Sequence, residues 1–251
     1  MSVTNNDKTS LIQRLFTAGS HFGFKKSRRH PTVAPYLFTT KEGVDIFDLE
    51  KTTASLDVAK EVLNQAGLMG KTVLFVGTKD ESSVVVKKCA EEAEAPYVVN
   101  RWIGGMFTNF SEIKKRINRL DTLLHEKESG ELERKYTKKE RVMIGREIDK
   151  LSFNFGGIAK VTKTPDFMLV VDPRHDSIAV EEAKALKVPV IAIMGSDCDA
   201  NNVDYPVVAN DSLQTSVTLL LEELTAAYKA GVAAYVPKPV TPRPTTPRRT
   251  A

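Results

Sequence analysis

Few features of this sequence announce a chemistry. Its 251 residues hold two cysteines, Cys89 and Cys198, one tryptophan and four histidines. Two cysteines outside a CxxC pair exclude a disulfide scaffold and a four-thiolate zinc fold, and fit reduced thiols in a cytosolic protein. His21, His30, His125 and His175 share no metal-ligand spacing. No Gly-x-Ser-x-Gly elbow is present. No apolar run approaches the ~20 residues a membrane-spanning helix needs; the longest, 167–171 and 188–194, are strand-sized. The opening MSVTNND lacks a basic-then-apolar leader, which predicts a chain that is not exported. A hydrophobic fraction of 41% and a charged fraction of 27% exclude a wholly disordered or collagen-like chain.

Charge is present in both signs but unevenly placed. The net charge is +4, and residues 237–251 carry Lys238, Arg243, Arg248 and Arg249 with no acid. The rest is therefore balanced overall. Residues 8–41 nonetheless hold Lys8, Arg14, Lys25, Lys26, Arg28, Arg29 and Lys41 and no acid, whereas 166–211 is rich in Asp and Glu. Such asymmetry predicts a polyanion on the first side, with the second turned toward solvent or a basic protein.

The apolar pattern predicts an α/β architecture. Thr9 or Ser10 is placed to cap a short helix that stops at Gly19. Residues 20–35 have no period and read as irregular; 36–40 and 44–47 read as short extended pieces, and 49–68 as a helix. Strands follow at 72–76, 97–99, 167–171, 188–194 and 207–208. Helices fall at 80–93, capped by Asp80, at 176–186 and at 211–228. Runs that are apolar throughout suit strands covered on both faces, and strand–helix alternation implies right-handed parallel crossovers.

That rhythm breaks between 110 and 155. Phe110, Ile113, Ile117, Leu120 and Leu124, then Ile144, Ile148, Leu151 and Phe155, follow the 3–4 spacing of a coiled coil. Thr137 and Glu140 form a capping box, and the link KESGELERKY is polar. The expectation is an inserted antiparallel coiled-coil helical hairpin, flanked by Gly104-Gly105 and Gly156-Gly157. The resulting division is 1–35, an N-terminal helix and basic segment; 36–109 with 156–230, a discontinuous α/β domain; 110–155, the hairpin; and 231–251, a Pro/Arg-rich basic tail that is disordered when free.

FVGTK, residues 75–79, lies where α/β proteins bind phosphates, but lacks the second glycine of a dinucleotide fingerprint and P-loop spacing. A nucleotide-dependent enzyme using it is the rival reading, and a plain strand–helix turn the simpler one. Asp197, Asp199 and Asn201 mimic the start of a calcium loop, but Val208 stands where a bidentate Glu is needed, so no metal is expected. HFGFKKSRRHP is stronger: Lys25, Lys26, Arg28, Arg29 and His30 cluster without an acid nearby in sequence, as phosphate binding requires. In NRWIGGMFTNF, Trp102 is expected to pin the hairpin base to the core, with Asn100, Arg101, Thr108 and Asn109 reaching RNA. The hairpin's Lys114, Lys115, Arg116, Lys138 and Lys139 face RNA, face a neighbouring protein, or are solvated; a pure scaffold docked by this hairpin is a third class.

AGSHFGF, HPTVAPYLF, DIFDLEKT, KTVLFVGTK, NRWIGGMFTNF, YTKKE and PVIAIMGSDCDANNVDYPVVAND, in this order, resemble the ribosomal protein S-two family in its bacterial form, over residues 11–224. The resemblance implies a flavodoxin-like parallel sheet flanked by helices with a protruding coiled-coil hairpin. It implies a non-enzymatic, cofactor-free constituent of the small ribosomal subunit, cytoplasmic and ribosome-bound, and not an obligate homo-oligomer. Its implied partners are small-subunit rRNA and neighbouring ribosomal proteins, with ribosomal protein S-one docked upon it. Phe24 stands where the family usually has His, and Gly195, Ser196 and Asp197 where it usually reads Asp-Thr-Asn.

Overall fold

The computed structural model describes residues 5–235; the Pro/Arg-rich stretch 236–251 lies outside the described residues. The elements in chain order are α1 (Asn5–Thr17), β1 (Phe22–Lys25), β2 (Leu37–Lys41), β3 (Val44–Phe47), α2 (Leu49–Leu68), β4 (Val73–Val76), α3 (Asp80–Glu92) and β5 (Tyr97–Val98). They continue as α4 (Phe110–Glu128), α5 (Glu131–Lys135), α6 (Lys138–Phe155), β6 (Phe167–Val171), α7 (Ser177–Ala185), β7 (Val190–Met194), β8 (Tyr205–Val208) and α8 (Gln214–Ala233).

The apolar runs VLFV, FMLVV and VIAIM become β4, β6 and β7, the centre of a five-stranded sheet in the order β5-β4-β6-β7-β8. All four pairings are parallel. Counted from β4, this is the 2-1-3-4-5 order of doubly wound flavodoxin-like sheets, with its switch point between β4 and β6. Side chains alternate between two cores. Val73 and Phe75 join Leu56, Leu63, Leu220 and Leu224 of α2 and α8 on one face. Leu74 and Val76 join Trp102, Phe107 and Ala179 on the other. Each fully buried Leu or Phe contributes roughly 1.5–3 kcal/mol, so burial on both faces explains why these strands carry no polar residue. Gly67 and Gly231 let α2 and α8 approach closely, since a Cβ on Gly231 would strike the Asn64 carbonyl.

Several local expectations are corrected. The helix expected to start at Thr9 or Ser10 is already running at Asn5, so both lie inside α1; Gly19, at φ +73°, does stop it. Asp80 is the first residue of α3 rather than its cap, which is Lys79. The segment read as irregular contains β1, which pairs with β3 in a small antiparallel sheet of order β1-β3-β2. A boundary at residue 35 therefore cuts through one sheet. Helix α8 continues to Ala233, past the expected edge of the tail at 231.

Helices α4 and α6 pack on each other. Ile113, Ile117 and Leu120 are buried with Ile144, Ile148, Leu151 and Phe155, and Arg119 reaches Glu147 at 3.3 Å. Leu123 is the fully buried residue where Leu124 was expected; Leu124 is half-buried. Glu140 accepts from the Thr137 amide at 2.8 Å, completing the capping box. The polar link holds a short helix, α5, because Leu132 turns inward and is buried.

Candidate nucleic-acid interface

In parallel α/β sheets, ligands bind at the carboxyl ends of the strands near the switch point. Here that crevice is filled by the protein itself. Thr78 donates its Oγ1 to Asp176 at 2.7 Å and its amide at 3.2 Å. Lys79 Nζ lies 3.2 Å from Asp172 and 3.1 Å from Ser212 Oγ. Burial opposes the Lys79 charge, yet Asp211 and Asp172 beside it hold its pKa above the ordinary lysine value. Burial, with Asp172 adding repulsion and Lys79 offsetting part of it, pushes the Asp211 carboxyl up to about 7.

Asp172, Cys198 and Asp211 each place one possible ligand atom within 4.8 Å of the others. The Lys79 ammonium already supplies the compensating cation. Burial, reinforced by the neighbouring carboxylates, raises the Cys198 pKa far above the ordinary thiol value, so the sulfur is held as a neutral thiol. Thr78 and Lys79 are therefore already engaged by polar groups of the protein itself.

The glycine loop between β5 and α4 closes around an internal anion. Glu182 of α7 accepts hydrogen bonds from the amides of Gly105 (2.7 Å), Phe107 (3.0 Å) and Thr108 (3.3 Å), from Thr108 Oγ1 (3.3 Å) and from Trp102 Nε1 (3.3 Å). Gly105, at φ +91°, turns the chain so that these donors converge. Burial pushes the Glu182 carboxyl up, but the donors outweigh it and hold the group below its usual range. Trp102 is buried in the core as expected. Thr108, expected to reach RNA, has both its amide and its hydroxyl on Glu182. Asn109 caps α4 in position and accepts from Ser111 Oγ at 3.2 Å. Arg101 is exposed and has no ion pair among the described residues.

The basic segment is different. Lys25 ends β1 and Lys26 opens a 3-10 turn; both side chains are exposed, with no ion pair among the described residues. The expectation that no acid offsets this segment is corrected, because acids distant in sequence fold back onto it. Arg28 reaches Asp197 at 3.0 Å, and its guanidinium lies over the Phe24 ring at 4.5 Å. Arg29 is 3.4 Å from the fully buried Asp45, which also accepts from Thr40 Oγ1 at 2.8 Å. The His30 ring bonds Thr32 Oγ1 at 2.8 Å, and its amide donates to the Ser196 carbonyl at 2.8 Å. Ser196 Oγ accepts from the Phe24 amide at 2.9 Å. The small sheet is thus clamped to the end of β7.

On the helical arm, Lys114 donates to the Thr162 carbonyl at 3.3 Å and Lys115 pairs with Glu112. Arg116, Lys138 and Lys139 are exposed and unpaired among the described residues. Sequence reasoning missed Glu182, and it weighed Asp197 only as part of a calcium-like loop, not as the partner of Arg28 and Arg174. Nothing local marks carboxylates whose partners lie 23 to 169 residues away.

The sequence matches the family model described as Ribosomal protein S2 over residues 15–231. It is 39% identical over 220 residues to the small ribosomal subunit protein uS2 of Petrotoga mobilis, covering 88% of this chain and 76% of that one. It is 40% identical over 222 residues to that of Wolinella succinogenes, covering 88% and 82%. Against that of Picosynechococcus it is 38% identical over 220 residues, covering 88% and 86%. The parallel sheet, the Glu182-closed glycine loop and the exposed lysines all lie inside the matched region, and the chain belongs to the Ribosomal protein S2 family.

Proposed function

We propose that this chain is a structural constituent of the small ribosomal subunit that holds small-subunit rRNA through phosphate contacts and shape. Ribosomal protein S2 is a structural, non-enzymatic family, and the filled crevice at Thr78 and Lys79 agrees with that. The observation that carries the RNA reading is the pair of exposed, unpaired cations Lys25 and Lys26 at the end of a strand whose sheet is clamped to the body. Clustered cations neutralise phosphates and set register, with little base reading. The segment is preorganised, so binding does not have to order it first.

In this reading Lys25, Lys26 and Arg28 contact phosphates, and Arg29 and His30 chiefly shape the segment. Arg101 and Asn109 are secondary contacts. Helices α4 and α6 form an antiparallel coiled-coil arm whose Arg116, Lys138 and Lys139 meet rRNA or a neighbouring ribosomal protein. Docking of ribosomal protein S-one and a cytoplasmic, ribosome-bound location rest on family membership alone. No helix among the described residues is long and apolar enough to cross a membrane.

Sedimentation of the tagged full chain in cell extract at two salt concentrations tests this reading. The chain should travel with small-subunit particles at low salt, and the Lys25→Ala/Lys26→Ala variant should be released at lower salt than the unmodified chain. A chain that stays at the top of the gradient at low salt overturns the proposal.

A further inference from the structure

Arg174, from the loop between β6 and α7, lies in a stretch whose acidic composition predicts that it faces away from RNA. The fold places it beside the basic segment. Arg174 Nη1 is 2.6 Å from Asp197 Oδ2, and Arg28 Nη2 is 3.0 Å from the same oxygen. The Asp197 side chain is 5% exposed, whereas those of Arg28 and Arg174 are 55% and 56% exposed. The acid sits behind and both guanidiniums face solvent. Each uses one nitrogen on Asp197 and keeps further N–H donors free. Two guanidiniums against one carboxylate leave a net positive charge, and Arg28 is braced a second time by the Phe24 ring. Arg28, Arg29, Arg174 and Lys184 share the lining of one cleft of about 560 Å³, with Asp199 and Glu181 also among its lining residues.

We propose that Arg28 and Arg174, positioned by Asp197, form a two-guanidinium clamp for one phosphodiester of small-subunit rRNA. Planar guanidiniums that converge from two elements fit phosphate oxygens better than flexible lysines do. In the chain, Arg28 follows Lys25 at the end of β1 and shares a 3-10 turn with Lys26. It rests on the reading of the basic segment as an RNA contact, and it extends that contact onto the α/β body.

The test is the affinity of the full chain for a small-subunit rRNA transcript across a salt series. The Arg174→Gln variant should bind about fivefold more weakly at low salt, with a log–log salt slope shallower by about 0.7 to 0.9, the loss of one phosphate contact. The Asp197→Asn variant removes a negative charge, so simple charge counting predicts tighter binding. The clamp predicts weaker binding, because both guanidiniums lose their brace. Unchanged binding by Arg174→Gln, beside weaker binding by Lys25→Ala/Lys26→Ala, overturns the clamp and leaves the basic segment in place. Unchanged binding by both variants overturns the underlying reading as well. Tighter or equal binding by Asp197→Asn removes the positioning role. Should Arg174→Gln lower the unfolding midpoint, Arg174→Lys replaces it. That variant should keep the slope and lose affinity, and full affinity would overturn the two-guanidinium geometry.

Discussion

Two carboxylates organise two neighbouring parts of this protein in opposite ways. Glu182 lies inside a glycine loop and gathers five donors onto itself, so the amides of Gly105, Phe107 and Thr108 are already taken. Asp197 sits behind the basic segment and binds two arginines by one oxygen, so their remaining donors face outward. The same functional group closes one site and opens the other. What differs is the partner: backbone amides are satisfied by one carboxylate, whereas two cations sharing one anion stay net positive. A polar, glycine-bearing motif is therefore not by itself a ligand site; what matters is whether the fold supplies an internal counter-charge.

The largest expected effect comes from breaking the closed side. Glu182→Ala strands several donors at the base of the arm and should destabilise the chain by about 3 kcal/mol, read from urea unfolding midpoints. The folded-state pKa of Glu182 lies below its ordinary value of 4.5, so its contribution is present above pH 4.5 and lost as pH falls through the depressed value. The gap between the variant and the unmodified chain should therefore narrow below pH 4.5. A gap that is constant from pH 3 to 7 would show that packing, not the carboxylate, holds the loop.

Arg29→Ala is next. It belongs to the open segment by sequence, but its partner Asp45 is fully buried and has one oxygen with no hydrogen-bond partner among the described residues. Removing the guanidinium leaves a buried charge with little compensation, at a cost of about 2 kcal/mol. No loss of stability would return Arg29 to the free cations.

An effect opposite in sign is expected in the filled crevice. The Asp211 pKa is raised from 3.8 to about 7, so its contribution is full below pH 3.8 and is lost as pH rises through 7. Asp211→Asn should therefore gain stability relative to the unmodified chain as pH rises from 4 to 8, measured by thermal unfolding. A relative loss over that range would mean that the Lys79 pair outweighs burial.

Much of the frame was legible because it is periodic. Apolar runs located the central strands, and the 3–4 spacing placed α6 and its capping box. The resemblance implied the flavodoxin-like order that β5-β4-β6-β7-β8 displays. The short strand FGFK was missed because its glycine and lysine mask the alternation that marks a sheet. The charge reading was right in composition and incomplete in space. Asp45 and Asp197 neutralise part of a segment that has no acid nearby in sequence, since ion pairing follows the fold and not the spacing. Glu182 gave no signal, being one of two adjacent acids on α7 whose hydrogen-bond partners lie in a distant loop.

The most direct test is the salt dependence of rRNA affinity, measured side by side for the unmodified chain, Lys25→Ala/Lys26→Ala and Glu182→Gln. The lysine variant should lose about 1.5 from its log–log slope while its stability stays within about 0.5 kcal/mol. Glu182→Gln, assayed where it is folded, should keep the slope and show a lower unfolding midpoint. An unchanged slope in the lysine variant, or a slope lost through Glu182→Gln, would contradict the division between an open cationic segment and a closed anionic loop.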